Sequence, residues 1–178
     1  EAYKTLLKDD ATRFVGVRGL LQQKLSEGDR EVALKLAEKA FELRPKHAET
    51  QDILLKLQSD AGDWSGARAT LGAKLKTGAL PKDVYRRRDA VLALQQARTV
   101  FDDAASIEAR EAAIEANKLS PDLIPAAAMA SRGYVAKGDK KNATRVLKKA
   151  WEVLPHPALA AAFAEIEPDE SASDRLKR

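Results

Sequence analysis

Two histidines, His47 and His156, are the only imidazoles in 178 residues. Each stands beside proline: His47 two residues after Pro45, His156 clamped between Pro155 and Pro157. An imidazole nitrogen can ligate a metal, and a single histidine suffices as an axial haem ligand. Neither has a second histidine or patterned carboxylates at ligand spacing. Cysteine is absent, which removes thiolate nucleophiles, disulfides and Cys-based zinc sites. Each histidine therefore reads first as a loop residue that caps the preceding carbonyls or touches the next helix. The ligand reading of His156 and His47 stays open beside it, and no metal site is expected.

The other side chains with chemistry are charged. Arg86, Arg87 and Arg88 run consecutively, and Asp9-Asp10 and Asp102-Asp103 pair carboxylates. Successive helix residues point about 100° apart, so three adjacent arginines cannot face one partner. Acids at helix ends cap backbone amides or complement the dipole. Trp64 and Trp151 read as packing between repeat units. No nucleophile with a base, no acid–base pair and no phosphate loop is legible, so no enzyme is expected.

Composition bounds what must position these groups. Apolar residues make up 44% and charged residues 33%, which suits a folded, water-facing chain. No run approaches the roughly 18 apolar residues of a membrane span. The net charge of +4 permits an acidic partner without demanding one. Aromatics at 5% are too few for base-stacking platforms, so nucleic acid is not an expected partner. The chain opens on EAYKTLLKDD, which reads as a helix already under way. It closes on SASDRLKR, where Ser173 or Asp174 has the character of an N-cap. The expectation is a piece of a longer protein.

Three Gly-Asp steps recur, at Gly28-Asp29, Gly62-Asp63 and Gly138-Asp139. Glycine can end one helix in the left-handed conformation and aspartate can cap the next, so each step predicts a helix–turn–helix corner. Behind them, Ala33, Ala37, Ala40 and Pro45 share their spacing with Ala143, Leu147, Ala150 and Pro155. Ala109, Ala113, Ala116 and Pro121 keep it too, after the glycine-free corner DDAAS. The second corner gives Ala67 and Leu71, then departs with Lys74 and Ala79. Thirty-four positions separate Ala33 from Ala67, and Ala109 from Ala143. A helix-pair period of 34, with small residues in the second helix and a terminating proline, is the tetratricopeptide signature.

The expected fold is all-α: a tetratricopeptide-like α-solenoid, a right-handed superhelix over residues 1–166. Its units are 14–47, 48–81, 82–123 and 124–157, with partial helices on either side. The first helix of the third unit is lengthened to about 82–101, and 167–178 is a polar tail or the start of a truncated helix. First helices of such stacks line a concave groove. Arg87, Val91, Leu94 and Arg98 share one face there, and equivalent positions add Arg18, Gln22, Asp52, Lys56 and Arg132. That predicts a mostly basic groove suited to carboxylates and phosphates.

Five stretches narrow the reading: RFVGVRGLLQQKLSEGD, AGDWSGARATL, VYRRRDAVLAL, LSPDLIPAAAMASR and AWEVLPHPALAAAFAEIEPDESASDRLKR. In content and order they resemble the HemY family, bacterial membrane-anchored tetratricopeptide proteins associated with haem biosynthesis. The resemblance implies a parent with two N-terminal membrane helices outside this segment. It also implies a repeat domain on the cytoplasmic side of the inner membrane, and a non-catalytic scaffold that holds a protein partner, such as a haem-pathway enzyme. No established catalytic residues come with it. The alternatives are direct haem or porphyrin handling through His156 or His47, and homo-oligomerisation through the repeats.

Overall fold

The computed structural model describes residues 2–101 and 107–177, and every regular element among them is a helix. In order these are α1 (Ala2–Leu6), α2 (Asp10–Glu27), α3 (Arg30–Leu43), α4 (Ala48–Asp60), α5 (Trp64–Lys76), α6 (Lys82–Phe101), α7 (Ile107–Leu119), α8 (Ile124–Ala136), α9 (Lys140–Val153), α10 (Pro157–Ile166) and α11 (Ala172–Lys177). They form two compact units, Glu1–Tyr85 and Arg86–Arg178, which divide inside α6.

The corners are built as their residues dictate. Gly28, Gly62 and Gly138 adopt φ of 76°, 75° and 77°, where a Cβ would be strained. The two amides at each corner donate back to the helix just ended: Gly28 N to Leu25 O and Asp29 N to Lys24 O, with the same pattern at 62–63 and 138–139. This Schellman arrangement satisfies carbonyls that the helix end leaves open. Asp29, Asp63 and Asp139 then accept from the amides of Val32, Gly66 and Asn142 at 3.3, 2.9 and 3.0 Å. The Asn142 backbone N–H, followed by its side chain, holds the Asp139 carboxyl below its usual range. The DDAAS corner, with Asp102 and Asp103, lies outside the described residues.

Proline ends the second helices. α3, α7 and α9 stop two residues before Pro45, Pro121 and Pro155. The residue between is pushed out of the helical region, as Leu154 shows at φ −151° and ψ 102°. α5 ends differently: Gly78 takes φ 74° and the Thr77 hydroxyl donates to Lys74 O at 2.8 Å. Ala79, the position that breaks the spacing, falls beyond the helix and is exposed.

The repeated small residues are the core. Ala33, Ala37 and Ala40 are fully buried in the first unit, as are Ala113, Ala116, Ala143 and Ala150 in the second. Leu21, Leu54 and Leu57 pack on α3 there. Leu147, Leu159 and Ile166 close the far end of the second unit. Lys74, at a small-residue position, is buried and its ammonium pairs with Asp52. A buried ammonium is tolerated only with such a partner.

The terminal segments differ in detail from expectation. The first helix of the first unit begins at Asp10, four residues before the expected 14, because the Asp9 carboxylate accepts from Ala11 N at 2.9 Å. Gly16 lets α1 lie against α2, since a Cβ there would stand 2.8 Å from Tyr3 O. At the other end a helix does form, and its cap is Ser171 rather than Ser173 or Asp174. The Ser171 hydroxyl accepts from Asp174 N at 3.1 Å and donates to the Asp174 carboxylate at 2.6 Å.

Candidate functional site

Both histidines are helix N-caps. His156 Nδ1 accepts from Ala158 N at 3.1 Å and starts α10. His47 Nδ1 accepts from Thr50 N at 3.3 Å and starts α4. Their ring nitrogens reach forward to the next helix's amides, and the His47 backbone N–H donates back to Arg44 O at 3.0 Å. In the neutral ring an accepting Nδ1 leaves the proton on Nε2, which makes that nitrogen the donor. His47 is half-buried with its ring edge-on to Phe14 at 5.0 Å, and the Arg44 guanidinium covers Phe14 at 4.5 Å. His156 is exposed.

The residues of α2 and α4 that the sequence assigned to a groove are mostly engaged internally. Arg18 donates to Glu49 at 2.5 Å and Gln22 to the other oxygen at 3.3 Å. Asp52 is the partner of buried Lys74. Lys56 is exposed and makes no ion pair among the described residues.

In the second unit Arg87 donates to the Ser120 hydroxyl and to Asp122, both at 2.8 Å. The Ser120 hydroxyl, more than Arg87, holds the Asp122 carboxyl below its usual range. Arg132 makes a bidentate pair with Glu165 at 2.7 and 2.9 Å, which joins α8 to α10. The Arg132 hydrogen bonds lower the Glu165 carboxyl, and Glu165 raises the guanidinium. Arg86, Arg88 and Arg98 are exposed.

Sequence reasoning placed the cations and missed their carboxylates. Glu49, Asp122 and Glu165 stand 31, 35 and 33 residues after Arg18, Arg87 and Arg132. That separation is close to one repeat, so a search one period downstream of each arginine would have found them.

Three predicted residues meet in one place. Arg98 of α6, Arg132 of α8 and His156 at the start of α10 line a concavity of about 640 Å³ in the second unit. Its apolar floor includes Ile124, Ala128 and Met129. Guanidinium forks and an imidazole N–H over an apolar floor fit a carboxylate carried on an apolar body. Trp64 is half-buried, and Trp151 is 44% exposed beside a second cleft between α9, α10 and α11. Among the described residues no group of three or more His, Cys, Asp or Glu side chains could hold a metal ion.

Paired helices, Gly-Asp corners and an alanine-lined core give the described residues an all-α, tetratricopeptide-like fold. No protein-family model matches it, and no curated protein matches its sequence. Solved structures similar to it include MamA protein, at 21% identity and TM-score 0.45 over 93% of this chain and 83% of that one. YrrB, a tetratricopeptide protein with an unusual peptide-binding site, is similar at 17% and 0.39 over 93% and 98%. A thermophilic tetratricopeptide protein of Thermus thermophilus is similar at 19% and 0.40 over 91% and 85%.

Proposed function

We propose that this chain is a non-catalytic protein-interaction scaffold whose second unit receives an acidic, partly apolar partner segment. The observation that carries the reading is the concavity in which Arg98, Arg132 and His156 converge over Ile124 and Met129. Arg98 is the cleanest recognition group, because Arg132 already holds Glu165. The resemblance to the HemY family supplies the setting: a parent anchored in the bacterial inner membrane, repeats on the cytoplasmic side, and a haem-pathway enzyme as partner. The test is crosslinking and capture from the membrane with the parent protein, comparing wild type with Arg98→Glu. If Arg98→Glu retains every partner at wild-type yield, the concavity is not the binding site.

A second reading, direct haem or porphyrin binding, draws on the same place. Two guanidiniums suit propionates, and His156 stands at the rim. Its geometry is less favourable to iron. Ligation through Nε2 would move the ring proton to Nδ1 and strip the cap from α10. A haemin titration followed by absorbance decides it: a spectrum unchanged by His156→Ala removes this histidine as a ligand.

A further inference from the structure

α3 and α9 hold equivalent places in the repeat, 110 residues apart, and bury the same positions: Ala33, Ala37 and Ala40 against Ala143, Leu147 and Ala150. Their opposite faces differ. α3 exposes Glu31, Lys35, Glu38, Lys39 and Glu42, tied by Lys35–Glu31 at 2.8 Å and Lys39–Glu42 at 2.7 Å. The same five positions of α9 expose Lys141, Arg145, Lys148, Lys149 and Glu152. The buried stripe occupies the same positions under either set. The apolar fringe changes with them. Trp151 is 44% exposed, Val153 65% and Leu154 55%, and Leu176 of the adjacent α11 is 91% exposed. The counterparts of the first three in the first unit are half-buried Phe41, half-buried Leu43 and charged Arg44.

We propose that the outer face of α9, with its apolar fringe, docks on an anionic lipid bilayer surface. Lys141, Arg145 and Lys148 meet acidic headgroups, while Trp151, beside Lys148 at the edge of this face, enters the interfacial zone that favours indole. A nucleic acid or a purely acidic segment would neutralise the cations and leave that fringe in water. A bilayer covers both. The buried stripe of α9 stays in the core, so the attachment is peripheral and weakens as salt screens it.

The test mixes the 178-residue protein with vesicles of phosphatidylcholine alone or with phosphatidylserine, read by co-sedimentation and tryptophan emission. Binding is expected only to the phosphatidylserine vesicles, with a blue shift that Trp151→Phe abolishes. Lys141→Glu with Lys148→Glu restores the glutamates that α3 carries, and unchanged circular dichroism will show that it folds. Its partition onto these vesicles should fall at least about 20-fold. Equal binding to both vesicles, no binding to either, or undiminished binding by the double variant overturns the proposal. So does binding to heparin or polyglutamate with vesicles left untouched.

Discussion

The Arg132–Glu165 pair joins two helices and also lines the concavity, so its structural and recognition roles must be separated. Both side chains are about half exposed, at 50% and 48%, so water screens the charges. Bidentate geometry places the coupling near the upper end of the range for surface pairs, about 0.5–1 kcal/mol. Arg132→Ala and Glu165→Ala should each cost about that much, and the double variant little more than either alone. Arg132→Glu sets two carboxylates together and should cost about 1–2 kcal/mol. Exchanging the pair, with Arg132→Glu and Glu165→Arg, should recover most of the loss while moving the cation off α8. Urea unfolding followed by circular dichroism supplies the cycle, and repeating it in about 1 M salt should shrink the coupling. A coupling indistinguishable from zero, or one that salt leaves unchanged, would refute the structural role. Once stability is restored, any lost partner in the exchanged protein reports on recognition.

The capping histidines give an ordered series. His156→Ala should cost about 1 kcal/mol and His156→Asn almost nothing, because asparagine also caps. His47→Ala should cost about 2 kcal/mol, since the edge-on Phe14 contact is lost with the cap, and His47→Asn should recover only the cap. Leu147→Ala, at a site 2% exposed, should cost about 2–5 kcal/mol in thermal or urea unfolding. Acid should destabilise the second unit. Folded Asp122 and Glu165 titrate below their unfolded values, so their contribution is complete above about pH 5 and fades as pH falls through the lowered values. Glu165→Gln should flatten that part of the stability–pH curve.

What the sequence disclosed depended on how local the chemistry was. Gly28-Asp29 and its two counterparts act within a few residues, and Pro45, Pro121 and Pro155 act on the residue before them, so corners and helix ends were readable. The alanine spacing was readable because burial follows the helical period. Arg18, Arg87 and Arg132 were placed by face, but their carboxylates lie a repeat away and no short window contains both partners. The histidines were assigned to loops, while the direction of their contacts depends on which ring nitrogen meets which amide. Lys74 appeared only as a break in the pattern, because its partner Asp52 is on another helix. The charge contrast between α3 and α9 was present in the letters but acquired meaning only once both helices buried the same positions.

The Schellman corners have a mechanical consequence. Between α8 and α9 only residues 137–139 intervene, with both corner amides bonded backward and the Asp139 carboxylate bonded forward. Such a joint has no slack to take up strain. Compliance between α8 and α9 therefore resides in the sliding of helix against helix over the alanine surfaces, not in the corner that joins them. A segment wedged into the concavity would shift α8 and α10 as rigid rods and carry α9 with them. The repeat would yield like a stack of shallow springs rather than a chain of hinges.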